Sequence, residues 1–173
     1  MPYPKELEST ASLRDGTVLE LRPIRPEDER LLLDIVQHMN PDDLRLRFLT
    51  PVRVLSDALV TRLTRIDYDH EMAIMALTWG GGTALGVARF ATEPGTQCAE
   101  FAIGTRSDWH RRGLGTLLIE RLSAIARTRG LNEIYGDVLR ENDAILRLCR
   151  RIGFALAAHP DDATLVRVQR TLR

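Results

Sequence analysis

The stretch DWHRRGLGTLLIERL, from Asp108 to Leu122, has two glycines at the start of an otherwise good helix. Glycine costs a helix roughly 1 kcal/mol relative to alanine, so Gly113 and Gly115 indicate that the backbone has a second use here. Apolar residues recur at helical spacing behind them: Leu114, Leu118, Leu122 and Ile125. We predict a helix from about Gly113 to Arg129, whose entrance offers unpaired N–H groups and a partial positive charge to an anion.

The segments around this helix predict an α+β domain. A strand is predicted over 17–22, followed by helices that begin at Pro26, at Asp42 and after Pro51. The turn sequences GGGT and EPGT separate three segments that predict an antiparallel meander: HEMAIMALTW, TALGVARFATE and TQCAEFAIGT. After the long helix come the strand NEIYGDVLR, the amphipathic helix NDAILRLCRRIGF, and two strands around a turn at 160–162. This order predicts a mixed, mostly antiparallel sheet flanked by helices.

Length and composition predict one domain. The chain has 173 residues, 44% of them hydrophobic, and we expect a flexible tail over 1–12 before a single domain over 13–173. Lys+Arg and Asp+Glu both number 24, so no net field favours nucleic acid or an anionic membrane. We find no leader pattern and no apolar run near the roughly 18 residues of a membrane helix, and we expect a cytoplasmic protein. Cys98 and Cys149 lack the spacing of a disulfide framework or a zinc site.

The order of elements, with RSDWHRRGLGTLL leading from the meander into the long helix, resembles the GCN5-related N-acetyltransferases over about residues 17–171. The loop of that superfamily has Gln or Arg, two unspecified residues, Gly, one unspecified residue, then Gly or Ala. Here the loop runs from His110 to Gly115, and His110 departs from the pattern. The segments LRPIRPEDE, DDLRLRF, LTRIDYDHEMA, LGVAR and AEFAI are similar to the catalytic domain of bacterial protein lysine acetyltransferases that modify acyl-CoA synthetases.

The resemblance implies a V-shaped splay in the sheet after the fourth strand, and acetyl-CoA as cosubstrate with no metal. The main chain of Ile103 and Thr105 would hold pantetheine and polarise the thioester carbonyl, and Asn142 would contact the coenzyme. The diphosphate would bind at the helix entrance, to the backbone and arginines of six residues: Arg111, Arg112, Gly113, Leu114, Gly115 and Thr116. From the sequence alone, Asn142 is also a natural helix N-cap.

A candidate base lies on the third strand of the meander. Alternation along CAEFAIGT puts Glu100 on one face with three small residues, Cys98, Ala102 and Gly104. The pKa of a lysine amine is about 10.4, so a base must take its proton before it attacks an acyl group. The resemblance implies that Glu100 is this base, and partial burial would raise its pKa towards neutrality. An ordinary surface glutamate is the alternative.

Two further segments leave alternatives open. Cys149 stands where many relatives carry a proton-donating tyrosine, and its place on an apolar stripe favours packing over acid catalysis. We therefore expect direct attack by the amine instead of an acetyl-cysteine intermediate. The segment RIDYDHEM, over 65–72, is either an acidic rim that attracts a lysine or a solvated loop.

The acceptor is the least determined part of the function. We expect a protein lysine, with an acyl-CoA synthetase as a candidate partner; a small amine or a non-catalytic acyl-CoA sensor remains an alternative. A Rossmann site is disfavoured because G-x-G-x-x-G after a strand is absent. A nucleic-acid-binding module would rest only on arginines near 106–112 and 140–151, without a basic net charge.

Overall fold

The computed structural model describes residues 1–52 and 54–173. The strands and helices follow in chain order: β1 (Ser9–Ser12), β2 (Val18–Pro23), α1 (Glu29–Gln37), α2 (Pro41–Phe48), α3 (Asp57–Thr64), β3 (Glu71–Thr78), β4 (Ala84–Thr92), β5 (Cys98–Thr105), α4 (Leu114–Thr128), β6 (Glu133–Leu139), α5 (Asp143–Arg151), β7 (Ala155–Ala158) and β8 (Leu165–Thr171). Short 3-10 helices cover Lys5–Leu7, Pro26–Asp28 and Ser107–Trp109. The predicted order of elements is confirmed, with β1 in addition.

The strands form one eight-stranded sheet in the order β1-β2-β3-β4-β5-β6-β8-β7. The β3-β4-β5 meander is antiparallel, as predicted, and its turns contain glycines with positive φ at Gly80, Gly81 and Gly95. The pair β5–β6 is parallel, and every other pair in the sheet is antiparallel. The sheet is therefore mixed and mostly antiparallel, as the sequence indicates.

The predicted flexible tail over 1–12 is wrong for Ser9–Ser12, which pairs with β2 along the edge of the sheet. The segment before this strand is also attached, because the Tyr3 ring packs edge-on against Tyr68 with 5.8 Å between centroids. Strand β1 alternates half-buried and exposed residues and has no large apolar side chain. Hydrophobic periodicity, the main sequence signal for a strand, is therefore missing at this edge.

Helices cover both faces of the sheet. Helices α1 and α2 contact β4 and β5 on one face, where a Cβ on Gly104 would lie 3.7 Å from the Arg47 side chain of α2. Helix α4 contacts β3, β4 and β5 on the other face, where a Cβ on Gly86 would lie 3.2 Å from Leu118. The predicted apolar row of α4 is buried: Leu114, Leu118, Leu122 and Ile125.

The sheet opens between β5 and β6. These strands pair over only three residues each, from Cys98 opposite Glu133 to Glu100 opposite Tyr135, although both continue further. Beyond that point Phe101 stands beside Gly136, where a Cβ would lie 3.1 Å from the Phe101 carbonyl oxygen. This is the V-shaped splay that the resemblance implies. It follows the fifth strand here because β1 adds one before it.

Among residues 1–52 and 54–173, no helix has both the length and the apolar character that crossing a bilayer requires.

Candidate active site

The open end of the splay is a cavity of about 430 Å³. Its walls come from β5, from the entrances of α4 and α5, from α2 and from the far half of β6. Eight of the predicted coenzyme-binding residues line it: Ile103, Thr105, Arg111, Gly113, Leu114, Gly115, Thr116 and Asn142. The fold thus brings together residues from three separate parts of the sequence.

The backbone of β5 offers polar groups to this cavity. Arg106 donates its N–H to Leu85 on β4, and the Cys98 carbonyl accepts from Glu93 on the same side. Because the N–H and C=O of successive strand residues point to alternate edges, the even-numbered residues of β5 face β4. Ile103 and Thr105 therefore direct their main-chain groups towards the splay. This geometry suits the role that the resemblance implies for them.

The entrance of α4 presents a row of unpaired amides. The first helical bond runs from the N–H of Leu117 to the carbonyl of Gly113, at 3.0 Å. Within the residues that the structure describes, no N–H group from Arg111 to Thr116 donates to a protein acceptor. Helix entrances with such amides and a positive dipole end bind phosphate groups.

Glycine is favoured at Gly113 and at Gly115 for different physical reasons. Gly113 caps α4 with φ at 88°, a left-handed conformation, and a Cβ there would meet no atom within 4 Å. At Gly115 a Cβ would lie 3.0 Å from a Leu148 methyl, so any larger residue would have to displace the Leu148 side chain of α5. Arg111 is also left-handed, with φ at 61°, although a side chain makes this conformation cost roughly 1–2 kcal/mol. The loop therefore holds a backbone shape that ordinary residues disfavour.

Arg112 does not line the cavity, unlike the other predicted residues of the loop. Its guanidinium lies 3.8 Å from the centre of the Trp109 ring and 2.8 Å from Asp15. Hydrogen bonds from Thr17 and then from Arg112 lower the pKa of Asp15 below its usual range. The side chain thus joins the loop to the start of β2. If Arg112 helps to bind an anion at this site, it does so through its backbone N–H.

His110, at the first position of the loop pattern, faces α2. Its Nε2 lies 3.7 Å from Asp43, which also accepts a short hydrogen bond from the Ser107 hydroxyl. The same hydroxyl accepts the backbone N–H of Asn40 at 2.8 Å. These bonds fix the loop to α2, so the departure from Gln or Arg leaves the amide row at α4 in place.

Glu100 stands at the last paired position of β5, where the strands part. The partial burial that would raise its pKa is not found: the residue is exposed and does not line the cavity. Its neighbour in the pairing, Tyr135, donates its hydroxyl to Glu93. Burial raises the pKa of Tyr135 above its ordinary value, with this hydrogen bond acting in the same direction. The structure therefore places Glu100 where β5 and β6 part, exposed to solvent and outside the cavity wall.

Asn142 caps α5, as the sequence predicts. Its Oδ1 accepts the N–H of Ile145 at 3.3 Å, and the residue also lines the cavity. In the part of the chain that the structure describes, no group of three or more His, Cys, Asp and Glu side chains has the arrangement of a metal site.

The family model of the acetyltransferase (GNAT) family matches residues 37–154. The chain belongs to this family. The GNAT chain is 34% identical to an acetyltransferase of Pseudomonas aeruginosa, over 90% of the chain and 84% of that protein. It is 31% identical to Acetyltransferase Pat of Mycolicibacterium smegmatis, over 82% of the chain but only 42% of that protein. The chain therefore spans less than half the length of this second relative.

Solved structures of GNAT proteins have the same fold. The GNAT domain of S. lividans PAT superposes with a TM-score of 0.90 at 26% identity, covering 98% of this chain and 99% of that one. The yncA protein of Salmonella typhimurium, solved with acetyl-CoA, has a TM-score of 0.72 at 19% identity, over 90% and 94% of the two chains. The predicted fold and acyltransferase class are confirmed.

In this GNAT domain Cys149 is a packing residue. Its side chain is fully buried, it does not line the cavity, and burial raises the pKa of its thiol to about 12. The interpretation as a packing thiol is therefore confirmed. A thiol in this position is shielded from any ligand of the cavity.

Two arginines of α5 line the cavity although the sequence did not predict them as coenzyme-binding residues. Arg147 and Arg151 line the cavity beside Arg111, and Arg151 donates to the Thr116 hydroxyl at 3.1 Å. Their spacing of four places both on one face of a helix, which is the signal that could have revealed them. Together with Arg111 they give the α4 entrance three exposed cations.

The acidic segment over 65–72 does not line the cavity. Asp67 accepts the backbone N–H groups of Asp69, His70 and Glu71. Although partial burial opposes it, the His70 hydrogen bond and these amides lower the pKa of Asp67 to about 2. The carboxylate organises its own turn, which favours the interpretation as a solvated loop.

Proposed function

We propose that this GNAT acetyltransferase binds acetyl-CoA at the splay and transfers the acetyl group to a protein lysine, by direct attack in a ternary complex. The row of unpaired N–H groups at the α4 entrance carries the proposal, because three arginines surround it and the cavity continues from it into the splay. A diphosphate needs several donors at once, and this row supplies them.

The residues of the cavity fit the coenzyme. The amides from Arg111 to Thr116 would hold the diphosphate, with Arg147 and Arg151 adding charge. The main chain of Ile103 and Thr105 would hold the pantetheine arm, and Asn142 would contact it at the α5 entrance. When bound, acetyl-CoA supplies an acetyl group as a thioester that an amine can attack.

Glu100 acts as the base in this proposal. A lysine amine is almost fully protonated at neutral pH, so it needs a nearby carboxylate that can accept the proton. Because Glu100 is exposed and outside the cavity wall, we expect the proton to pass through a bridging water. Cys149 cannot take part from its buried position, which supports direct attack over a covalent enzyme intermediate.

The identity of the acceptor is the most specific part of the proposal. It is supported by the sequence phrases shared with bacterial protein lysine acetyltransferases and by relatives that carry the name Pat. An acyl-CoA synthetase is the candidate protein substrate on the same grounds.

The test is acetylation of a panel of acyl-CoA synthetases beside a panel of small amines, read by mass spectrometry. We expect a modified protein lysine, and a rate lowered about 100-fold or more by Glu100→Gln. Glu133→Gln is the matched control, since Glu133 lies on the neighbouring strand, two residues before the partner of Glu100. Acetylation of small amines alone would contradict a protein acceptor. An unchanged rate in Glu100→Gln would contradict the base, and coenzyme binding without turnover would indicate a sensor domain.

A further inference from the structure

Arg47 of α2 has a guanidinium without a direct ion-pair partner in the described residues, although the Glu100 carboxylate acts on it at longer range. Within residues 1–52 and 54–173 its side chain has no ion pair within 4 Å and no hydrogen-bond acceptor. Its aliphatic chain lies 3.7 Å from the point that a Cβ on Gly104 would occupy. Its guanidinium lies 4.8 Å from the centre of the Phe48 ring. The side chain is partly buried in the wall of the cavity.

A second arginine lies behind it. Arg89 of β4 and Arg47 share a smaller cavity of about 20 Å³, which has room for about one water molecule and none for a larger anion. Arg89 donates to the Leu63 carbonyl at 3.1 Å. This hydrogen bond fixes the Arg89 side chain, whose positive charge adds to that of Arg47. Burial lowers the pKa of Arg47 to about 10, Arg89 acts in the same direction, and Glu100 opposes it.

The carboxylates of the cavity wall are engaged elsewhere. Asp43 accepts from Ser107, and Asp137 pairs with Arg167 at 2.9 Å. A partly buried charge that lacks a partner is unfavourable, so a wall with an unpaired guanidinium suits an anionic ligand. The planar guanidinium matches a carboxylate with two parallel hydrogen bonds.

The face of the sheet on which Arg47 lies indicates whether it binds the coenzyme or the acceptor. Gly104, against which Arg47 packs, lies on the same face of β5 as Glu100, because strand residues two and four apart share a face. The α4 entrance and its arginines lie against the opposite face. Arg47 is thus on the face of the sheet that carries Glu100, opposite the face against which the predicted diphosphate site lies.

We propose that Arg47 binds a carboxylate carried by the acceptor, so that the preferred acceptor has an acidic group near its amine. This inference rests on the proposed function, since it assigns the substrate of the same site. The carboxylate is either the α-carboxylate of a small amino acid or an acidic side chain near a lysine in a protein.

Two pairs of acceptors test the inference. Nα-acetyl-lysine is compared with its amide, and a lysine peptide with a neighbouring glutamate is compared with the same peptide carrying glutamine. The measurements are the dissociation constant by calorimetry, on protein saturated with coenzyme A, and the rate of acetylation. We expect a preference of about tenfold or more for the carboxylate in one pair, which also identifies its source.

The variants are Arg47→Gln and a control, Arg45→Gln. Arg45 lies on the same helix, pairs with Asp42 and Glu141 and is absent from the cavity wall. We expect Arg47→Gln to lose the preference and Arg45→Gln to keep it. Arg47→Met keeps the apolar packing and replaces Arg47→Gln if that variant does not fold. Equal binding within both pairs for the wild type, or an unchanged preference in the Arg47 variant, would overturn the inference. Carboxylate-dependent binding without acetylation would refute the proposed transfer and leave the carboxylate site supported.

Discussion

Replacing Gly113 with alanine should separate the shape of the α4 entrance from the stability of the helix. Gly113 has φ at 88° with no atom near a new Cβ, so the variant causes strain without a clash. The left-handed conformation costs alanine roughly 1–2 kcal/mol. Alanine also lowers the conformational entropy of the unfolded chain, which offsets about 0.4–1 kcal/mol of this cost. We expect a net loss of about 1 kcal/mol, which lowers the Tm by about 2–4 °C in a domain of this size.

The same strain should weaken coenzyme binding. Relaxation of the strained φ rotates the N–H groups on either side of Gly113 out of the row. Each charge-assisted hydrogen bond is worth about 1.5–3 kcal/mol, so the loss of one weakens acetyl-CoA binding about tenfold or more. Calorimetric titration of acetyl-CoA measures this change.

Gly130→Ala is the matched control. Gly130 ends the same helix with φ at 78°, and a Cβ there also meets nothing within 4 Å. We expect a similar fall in Tm with no change in coenzyme affinity. Equal losses of affinity in the two variants, or unchanged affinity in Gly113→Ala, would refute the assignment of the α4 entrance to the coenzyme.

Three other perturbations test separate parts of the structure. Cys149→Ala should lower the free energy of unfolding by about 1 kcal/mol while kcat stays within twofold, because the thiol packs and does not react; denaturation and steady-state rates measure this. Arg151→Gln should raise the KM for acetyl-CoA several-fold, with a weaker salt dependence and an unchanged kcat. Asp67 raises the pKa of His70, so their pair stabilises the fold fully below the ordinary histidine pKa of about 6.5 and loses this effect as the pH rises through the raised value. Asp67→Asn should therefore lower the Tm more at pH 6 than at pH 9, and an equal loss at both would contradict the ion pair.

The order of elements could be predicted because each element has a local signal. Glycine and proline mark the turns of the meander, and the row from Leu114 to Ile125 marks α4. Strand β1 was missed because an edge strand of small residues buries little and needs no hydrophobic alternation. Its pairing with β2 is decided by a distant partner that the local pattern does not contain.

The site was predictable where its groups belong to the backbone, and less so where side chains choose partners across the fold. The amides of the α4 entrance follow from the glycine pattern itself. Two arginines illustrate the side chains that could not be predicted. Arg112 of the loop pairs with Asp15, and Arg151 of α5 lines the cavity. Likewise the exposure of Glu100 depends on how far other elements cover its face of the sheet, which the local pattern does not contain.

A crystal structure of the protein with coenzyme A is the most direct test of the central claim. We expect the diphosphate oxygens to accept hydrogen bonds, at about 3 Å, from several of the amides between Arg111 and Thr116, with the pantetheine arm beside Ile103 and Thr105. A coenzyme bound outside the splay, or these amides left without contact to it, would contradict the account.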